Sequence, residues 1–236
     1  MVGQNFHDLT SYVDFLDKIG DLKRVKTEVD PILEISEISC KTIESNGPAL
    51  LFENVKGSSF PVATNLFGSE ERLRLSLGCS PKELGEEILS FAEKAIPPKI
   101  NTLFTSFPFI KRLTNFRSKE YVLNPPCQQI HDELNLEGLP IIKCWPEDGG
   151  RFITMGLTIT ESPINKKTNM GMYRLQMHDQ DKLGMHWHPH KGGAAHYHEA
   201  KQLGQDFPVA VVLGGDPSLI FAAIAPLPEN ISELMF

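Results

Sequence analysis

Residues 207–227 are the most apolar stretch of the chain, and they carry Asp216-Pro217 at their middle. An Asp at the centre of a membrane helix costs about 3 kcal/mol on insertion, and a proline there breaks the helix. The stretch is therefore core and not a membrane span. It reads as a buried strand over 209–213, a turn at Gly214-Gly215-Asp216-Pro217 and a helix over 217–224. The chain's 236 residues suffice for one large domain or two small ones, and 41% hydrophobic with 22% charged residues is ordinary for a globular protein.

Charge and cysteine usage exclude some classes of function. A formal net charge of −7 and the lack of an overriding basic cluster argue against nucleic-acid binding. Cys40, Cys79, Cys127 and Cys144 form no CxxC pair, so they read as free thiols in a reducing compartment, which makes the chain cytoplasmic. The opening MVGQNFHDLTSY has neither the basic nor the apolar region of a signal peptide.

The first part of the chain reads as mixed α/β. Asp8 caps a helix over 8–19 that Gly20 ends, and Asp30-Pro31 opens a second helix marked by Leu33, Ile35 and Ile38. Strands are expected at 49–52 and 60–66. Ser69 starts a third helix, and the capping box Ser80-Pro81-Lys82-Glu83 starts a fourth over 81–95. A boundary is placed near 118, giving regions 1–118 and 119–236. The second region is β-rich, with strands expected at 127–131, 139–143, 152–161 and 170–177. The last two form a hairpin about the turn 165–168. A strand or extended stretch at 185–190 and a helix over 194–203 follow.

Six of the eight histidines fall between 178 and 198. On an extended strand His186, His188 and His190 share one face, which suits a zinc or nickel ion. A polar strand face that contacts an anion is the other reading. Arg174, within NMGMYR, can hold a carboxylate or phosphate in its guanidinium fork, or simply pair with a surface acid. Lys191-Gly192-Gly193 resembles an anion-binding turn, and Gly214-Gly215-Asp216-Pro217 is either a second one or a plain capped strand-to-helix turn.

Together, and in this order, NMGMYRLQ, MHWHPHKGGAAHY and FPVAVVLGGDPSLIFAAIAPLPENISE resemble the UbiD family of decarboxylases. The opening DFLDKIGDLKRVKTEVDP and GPALLFENVKGSSFPVATNLFGS are similar to that family as well, so the likeness spans nearly the whole chain. Within the family the chain most resembles the polyprenyl-4-hydroxybenzoate decarboxylases of ubiquinone synthesis.

The resemblance implies an α+β protein, with an N-terminal mixed α/β domain followed by an incomplete split β-barrel that binds flavin. It implies prenylated FMN, supplied by a partner flavin prenyltransferase, with Mn²⁺ on its phosphate and K⁺ nearby. Matched to the family's motifs, Asn169, His190 and Glu233 are the metal ligands, which demotes the three-histidine zinc site and leaves only His190 a metal role. Met172, Tyr173, Arg174, His186, Trp187, His188, Lys191 and Gly192 match the flavin-contacting stretches, although relatives often carry Gln or Leu where this chain has His188. Arg174 matches the catalytic arginine of a Glu-Arg-acid network that binds the substrate carboxylate. The implied reaction is non-oxidative decarboxylation of an aromatic carboxylic acid by a homo-oligomer with at most peripheral membrane contact. Family chains are roughly twice this length, and their catalytic acids lie beyond the position of Phe236. The chain alone is therefore expected to be inactive and to expose an unpaired apolar sheet edge. A flavin- and metal-binding fragment and a flavin reductase are the alternatives. Against the latter, no GxGxxG fingerprint is present.

Overall fold

The computed structural model describes residues 6–86, 89, 123–133, 135–225 and 233. Helix α1 (Leu9–Lys18) begins at an Asp8–Ser11 capping box, and Gly20 follows it with φ +77°. Tyr12, Val13 and Leu16 turn its apolar face inward. Strand β1 (Leu22–Val25) and strand β2 (Ala49–Phe52) pair in parallel across helix α2 (Glu34–Glu44), and strand β3 (Val62–Thr64) pairs antiparallel with β2. Helix α3 (Glu70–Leu77) starts at the Ser69 cap. The helical run at 81–86 follows Ser80, whose hydroxyl accepts from Lys82 while its own N–H donates to Glu83. The remainder of the helix expected over 81–95 lies outside the described residues, apart from Leu89.

Helix α2 starts later than Asp30-Pro31. Asp30 Oδ1 accepts from the Ile32 amide at 2.8 Å, and the Pro31 carbonyl accepts from Lys143 at 3.0 Å. The Leu33 amide in turn donates to the Lys143 carbonyl at 2.9 Å, so 31–33 is tied to the segment at 143 instead of coiling. Leu33, at φ +71°, is the centre of a tight turn in which the Glu34 amide donates to the Ile32 carbonyl. The segment expected as a strand at 127–131 begins as a 3-10 turn at Pro126–Gln128, because Pro125-Pro126 fixes φ and removes donors. Of 139–143, only Ile142 and Lys143 form bridges, to Phe152 and Ile32.

The strands expected at 152–161 and 170–177 are each broken in two. Strand β4 (Phe152–Ile153) and strand β5 (Leu157–Glu161) part at Gly156, where an added Cβ would press on Leu175, Val211 and Ile153. Strand β6 (Thr168–Met172) and strand β7 (Leu175–Asp179) part at Tyr173-Arg174. The chain thereby passes twice between two sheets. One has the order β4-β7-β8, with strand β8 at Lys182–Met185, and the other β6-β5-β9, with strand β9 at Val209–Val212. Together with β1-β2-β3 these make three three-stranded sheets, none of them closed among the described residues.

Helix α4 (Gly192–Leu203) packs on β5 and β6, and helix α5 (Pro217–Ala222) starts at the Asp216 cap. Strand β9 is not buried as expected. Val209 and Ala210 are exposed, and among the described residues β9 pairs only with β5. The core has three parts. Two lie around β1–β3, and the third joins Leu157 and Met170 to Ile220, Ala222 and Ala223. Phe67 packs against the first and the third.

Candidate functional site

Strand β6 and the start of α4 meet around Asn169. Asn169 stands opposite Thr160 in the β5–β6 ladder. Its side-chain Nδ2 is buried without a hydrogen-bond partner. A Cβ on Gly192 would run into the Asn169 amide oxygen, so only glycine lets the helix start this close. One residue along β6, the Met170 amide donates to Glu233 Oε2 at 3.0 Å. A residue far along the sequence thus enters beside Asn169.

Tyr173 closes this end. Its hydroxyl accepts from the Gly193 amide at 3.1 Å, and Trp187 stands edge-on to its ring at 5.0 Å. An added Cβ on Gly193 would lie 2.6 Å from Trp187 and 2.8 Å from the Tyr173 hydroxyl, so this second glycine is also held to its size. Burial raises the Tyr173 phenol above the ordinary tyrosine range, with the Gly193 amide acting against it. Tyr173 is therefore neutral at physiological pH. Lys191 precedes α4 and offers no side-chain cap to its first turn. The helix end is positively polarised, as in sites that bind phosphate.

Arg174 faces the other way. Its guanidinium lies 4.0 Å over the Phe152 ring and donates to Asp148 Oδ1 at 3.2 Å. Asp148 Oδ2 in turn accepts from the Trp145 amide at 3.1 Å. Phe152, Arg174, Gln176, His178, Gly184, Met185 and His186 line a cavity of about 400 Å³. That volume is within the range of small-molecule sites.

Strand β8 stops at Met185, so His186, His188 and His190 do not share a strand face. Residues 188–191 turn back, with the Lys191 amide donating to the His188 carbonyl, and the His188 and His190 rings lie 5.8 Å apart. All three histidines are exposed. Among the described residues, no group of three or more His, Cys, Asp and Glu side chains is placed to hold a metal ion. The structure gathers Asn169, Tyr173, Trp187, Gly192 and Glu233 at one end, and Arg174 and His186 at another. Met172 packs against the third core instead. His188, His190 and Lys191 stay at the surface.

Several residues at this site escaped sequence reasoning. Asp148 and Phe152 hold Arg174 from 26 and 22 residues away, and nothing in their local sequence marks them. His196 Nδ1 lies 3.0 Å from Thr160 Oγ1, and the Ser162 hydroxyl donates to Glu199 at 2.6 Å. Burial lowers the pKa of His196, while Glu199, Glu233 and Glu161 act against the shift.

The site thus joins a glycine helix start to strand β6 under Tyr173 and Trp187, with the cavity that Arg174 lines at a separate end. Residues 120–236 match the family model for the 3-octaprenyl-4-hydroxybenzoate carboxy-lyase Rift-related domain, and residues 13–92 match that of the carboxy-lyase N-terminal domain. The chain belongs to the UbiD family.

Solved structures agree on the fold. Vanillic acid decarboxylase of Sedimentibacter hydroxybenzoicus in closed form is 26% identical with a TM-score of 0.78, covering 99% of this chain and 48% of that one. The UbiD-class enzyme HmfF from Pelotomaculum thermopropionicum, in complex with FMN, is 25% identical with a TM-score of 0.72, over 97% and 47% of the two chains. An evolved dimeric form of the same enzyme, in complex with prFMN, is 24% identical with a TM-score of 0.74, over 98% and 51%. The chain thus spans about half the length of the structures it matches. Among the described residues no helix is long and apolar enough to cross a membrane.

Proposed function

We propose that the protein carrying this chain decarboxylates an aromatic acid without net oxidation, using prenylated FMN, and that this chain forms its flavin-phosphate and metal end. The observation that carries the reading is the convergence of Asn169, the amide end of α4 and Glu233 from three separate parts of the chain. The residues fit the group. The Asn169 amide oxygen lies beside Gly192, which has no side chain to cover it, and the Glu233 carboxylate sits at the next residue of the strand, so two hard oxygen donors stand close together. With the His190 imidazole they make a mixed set that suits Mn²⁺ better than zinc. K⁺ beside the same phosphate belongs to this reading.

When bound, the prenylated flavin supplies an electron sink for the carbon that loses CO₂. The chain's own residues bind and orient. Gly192 presents the first amide of the polarised helix end to a phosphate, while the Gly193 amide is held by Tyr173. Tyr173 stays neutral, and with Trp187 it forms an aromatic wall against Gly193. Arg174, steadied by Asp148 and Phe152, offers its fork to a carboxylate. Met172, His186, His188 and Lys191 complete the flavin-contacting set in this reading.

The substrate proposed is 3-polyprenyl-4-hydroxybenzoate, in ubiquinone synthesis. The family description and the sequence resemblance support it, whereas vanillic acid is the substrate named for one similar structure. The domain division proposed is 1–118 and 119–236, with the β5- and β7-centred sheets as two sides of a split barrel. A flavin prenyltransferase as cofactor source and assembly as a homo-oligomer complete the reading.

Titration with Mn²⁺ and FMN tests it directly. The wild type should bind FMN in a Mn²⁺-dependent manner, and N169A and G192A should lose that dependence. No binding at millimolar concentrations would overturn the reading. In the full-length protein loaded with prenylated FMN, CO₂ release from polyprenyl and simple hydroxybenzoates then identifies the substrate.

A further inference from the structure

Helix α4 is fixed at its start by the Gly193 amide on Tyr173 and along its length by Tyr197, which stacks on Trp187. Its buried residues are Gly193, Ala194 and Ala200. Such small side chains bring it close to β5 and β6. Two side-chain hydrogen bonds add a direct tie to the sheet. His196 Nδ1 meets Thr160 Oγ1 at 3.0 Å, and Glu199 Oε2 accepts from the Ser162 hydroxyl at 2.6 Å. His196 and Glu199 are three apart on the helix and lie on one face. Thr160 lies in β5 and Ser162 directly follows its last residue, Glu161, and both are buried.

Thr160 is 2% exposed and Ser162 is fully buried, so water competes little for either bond. Ser162 is fixed in turn, because its hydroxyl oxygen accepts from the Ile164 and Asn165 amides at 3.2 Å and 3.1 Å. Thr160 stands opposite Asn169 in the ladder. The same two-strand unit therefore carries both the clamp and the proposed metal ligand.

We propose that His196 and Glu199 are positioning residues, which clamp α4 to β5 and so hold its glycine end against Asn169. The inference rests on the reading of that end as a phosphate and metal site. Shifting α4 by even a fraction of its 5.4 Å pitch would carry Gly192 off Asn169 and open the site. Neither residue touches the anion. Each acts through the place it gives the helix.

The test measures Mn²⁺ affinity in the presence of FMN, from the spin-resonance signal of the free ion, with a thermal melt of every variant. E199A and S162A in the full chain are expected to weaken binding about tenfold or more, as loss of a group that orients ligands does. E199Q keeps an acceptor for the Ser162 hydroxyl and is expected to stay near wild type. T160V keeps the shape of the strand residue and should weaken binding with little change in melting. Wild-type affinity in E199A, S162A and T160V would overturn the clamp, whatever their melting temperatures. A wild type that binds no Mn²⁺ would overturn the site reading and the clamp together.

Discussion

Arg72 carries a full charge at 2% exposure. Its Nη1 reaches both Asp21 oxygens, at 2.8 Å and 3.0 Å, its Nη2 donates to the Gly47 carbonyl at 3.2 Å, and its Nε has no partner. Removing one member of a buried pair costs more than the pair is worth, because the other charge is stranded. D21A should therefore lose about 3 kcal/mol, and R72M, which removes the charge itself, clearly less. Urea denaturation of both variants decides this, and equal losses would mean that the charge is not what Asp21 compensates. Such pairs are invisible to local reading. The two residues are 51 apart in sequence and meet only because α3 packs beside the end of α1.

At the scale of elements, caps and turns governed what could be read. Asp8 accepts from the Ser11 amide at 2.7 Å, and that bond holds its carboxyl below the ordinary carboxylate value of 3.8. A carboxyl whose folded value is lowered stabilises the fold above 3.8 and loses that contribution as pH falls through the lowered value. D8A should thus cost about 1 kcal/mol at neutral pH, as cap deletions do, and the gap to wild type should close in strong acid. A gap independent of pH in urea titrations would show that the cap works without its charge.

The same logic explains which elements were legible. α1, α3, β2 and α5 were readable because each carries its own start signal or an unbroken apolar run. The start of α2 was not, because Lys143, 112 residues after Pro31, captures its opening carbonyl. Nor were the breaks in the two long strands, since a change of sheet leaves apolar alternation intact. Asn169, Tyr173, Gly192 and Glu233 were named through resemblance and fall together. Their supports Asp148, His196 and Glu199 are ordinary polar residues until the fold brings partners to them.

At the scale of the whole molecule, the proposed regions 1–118 and 119–236 meet, among the described residues, through contacts of several kinds, the backbone bonds of Lys143 with Pro31 and Leu33 among them. The Ser58 hydroxyl donates to the Gly138 carbonyl at 2.7 Å, and Ile142 packs on the second core beneath α2. The most apolar joint is Phe67. It stacks on Tyr12 at 5.9 Å on one side and meets Phe221 edge-on at 5.1 Å on the other. One side chain thus belongs to the core of the first region and to the core under the proposed site. F67A should cost about 2–3 kcal/mol, less than a fully buried phenylalanine because Phe67 is half-buried. The more informative effect is on cooperativity. Both tryptophans, Trp145 and Trp187, lie in the second region, so their fluorescence reports that region while far-ultraviolet dichroism reports the whole chain. With Phe67 in place the two signals should change together across a denaturant titration. In F67A they should separate, because each core then melts on its own terms. Transitions that shift in F67A but still coincide would mean that the Ser58, Ile142 and Lys143 contacts couple the regions without the aromatic joint.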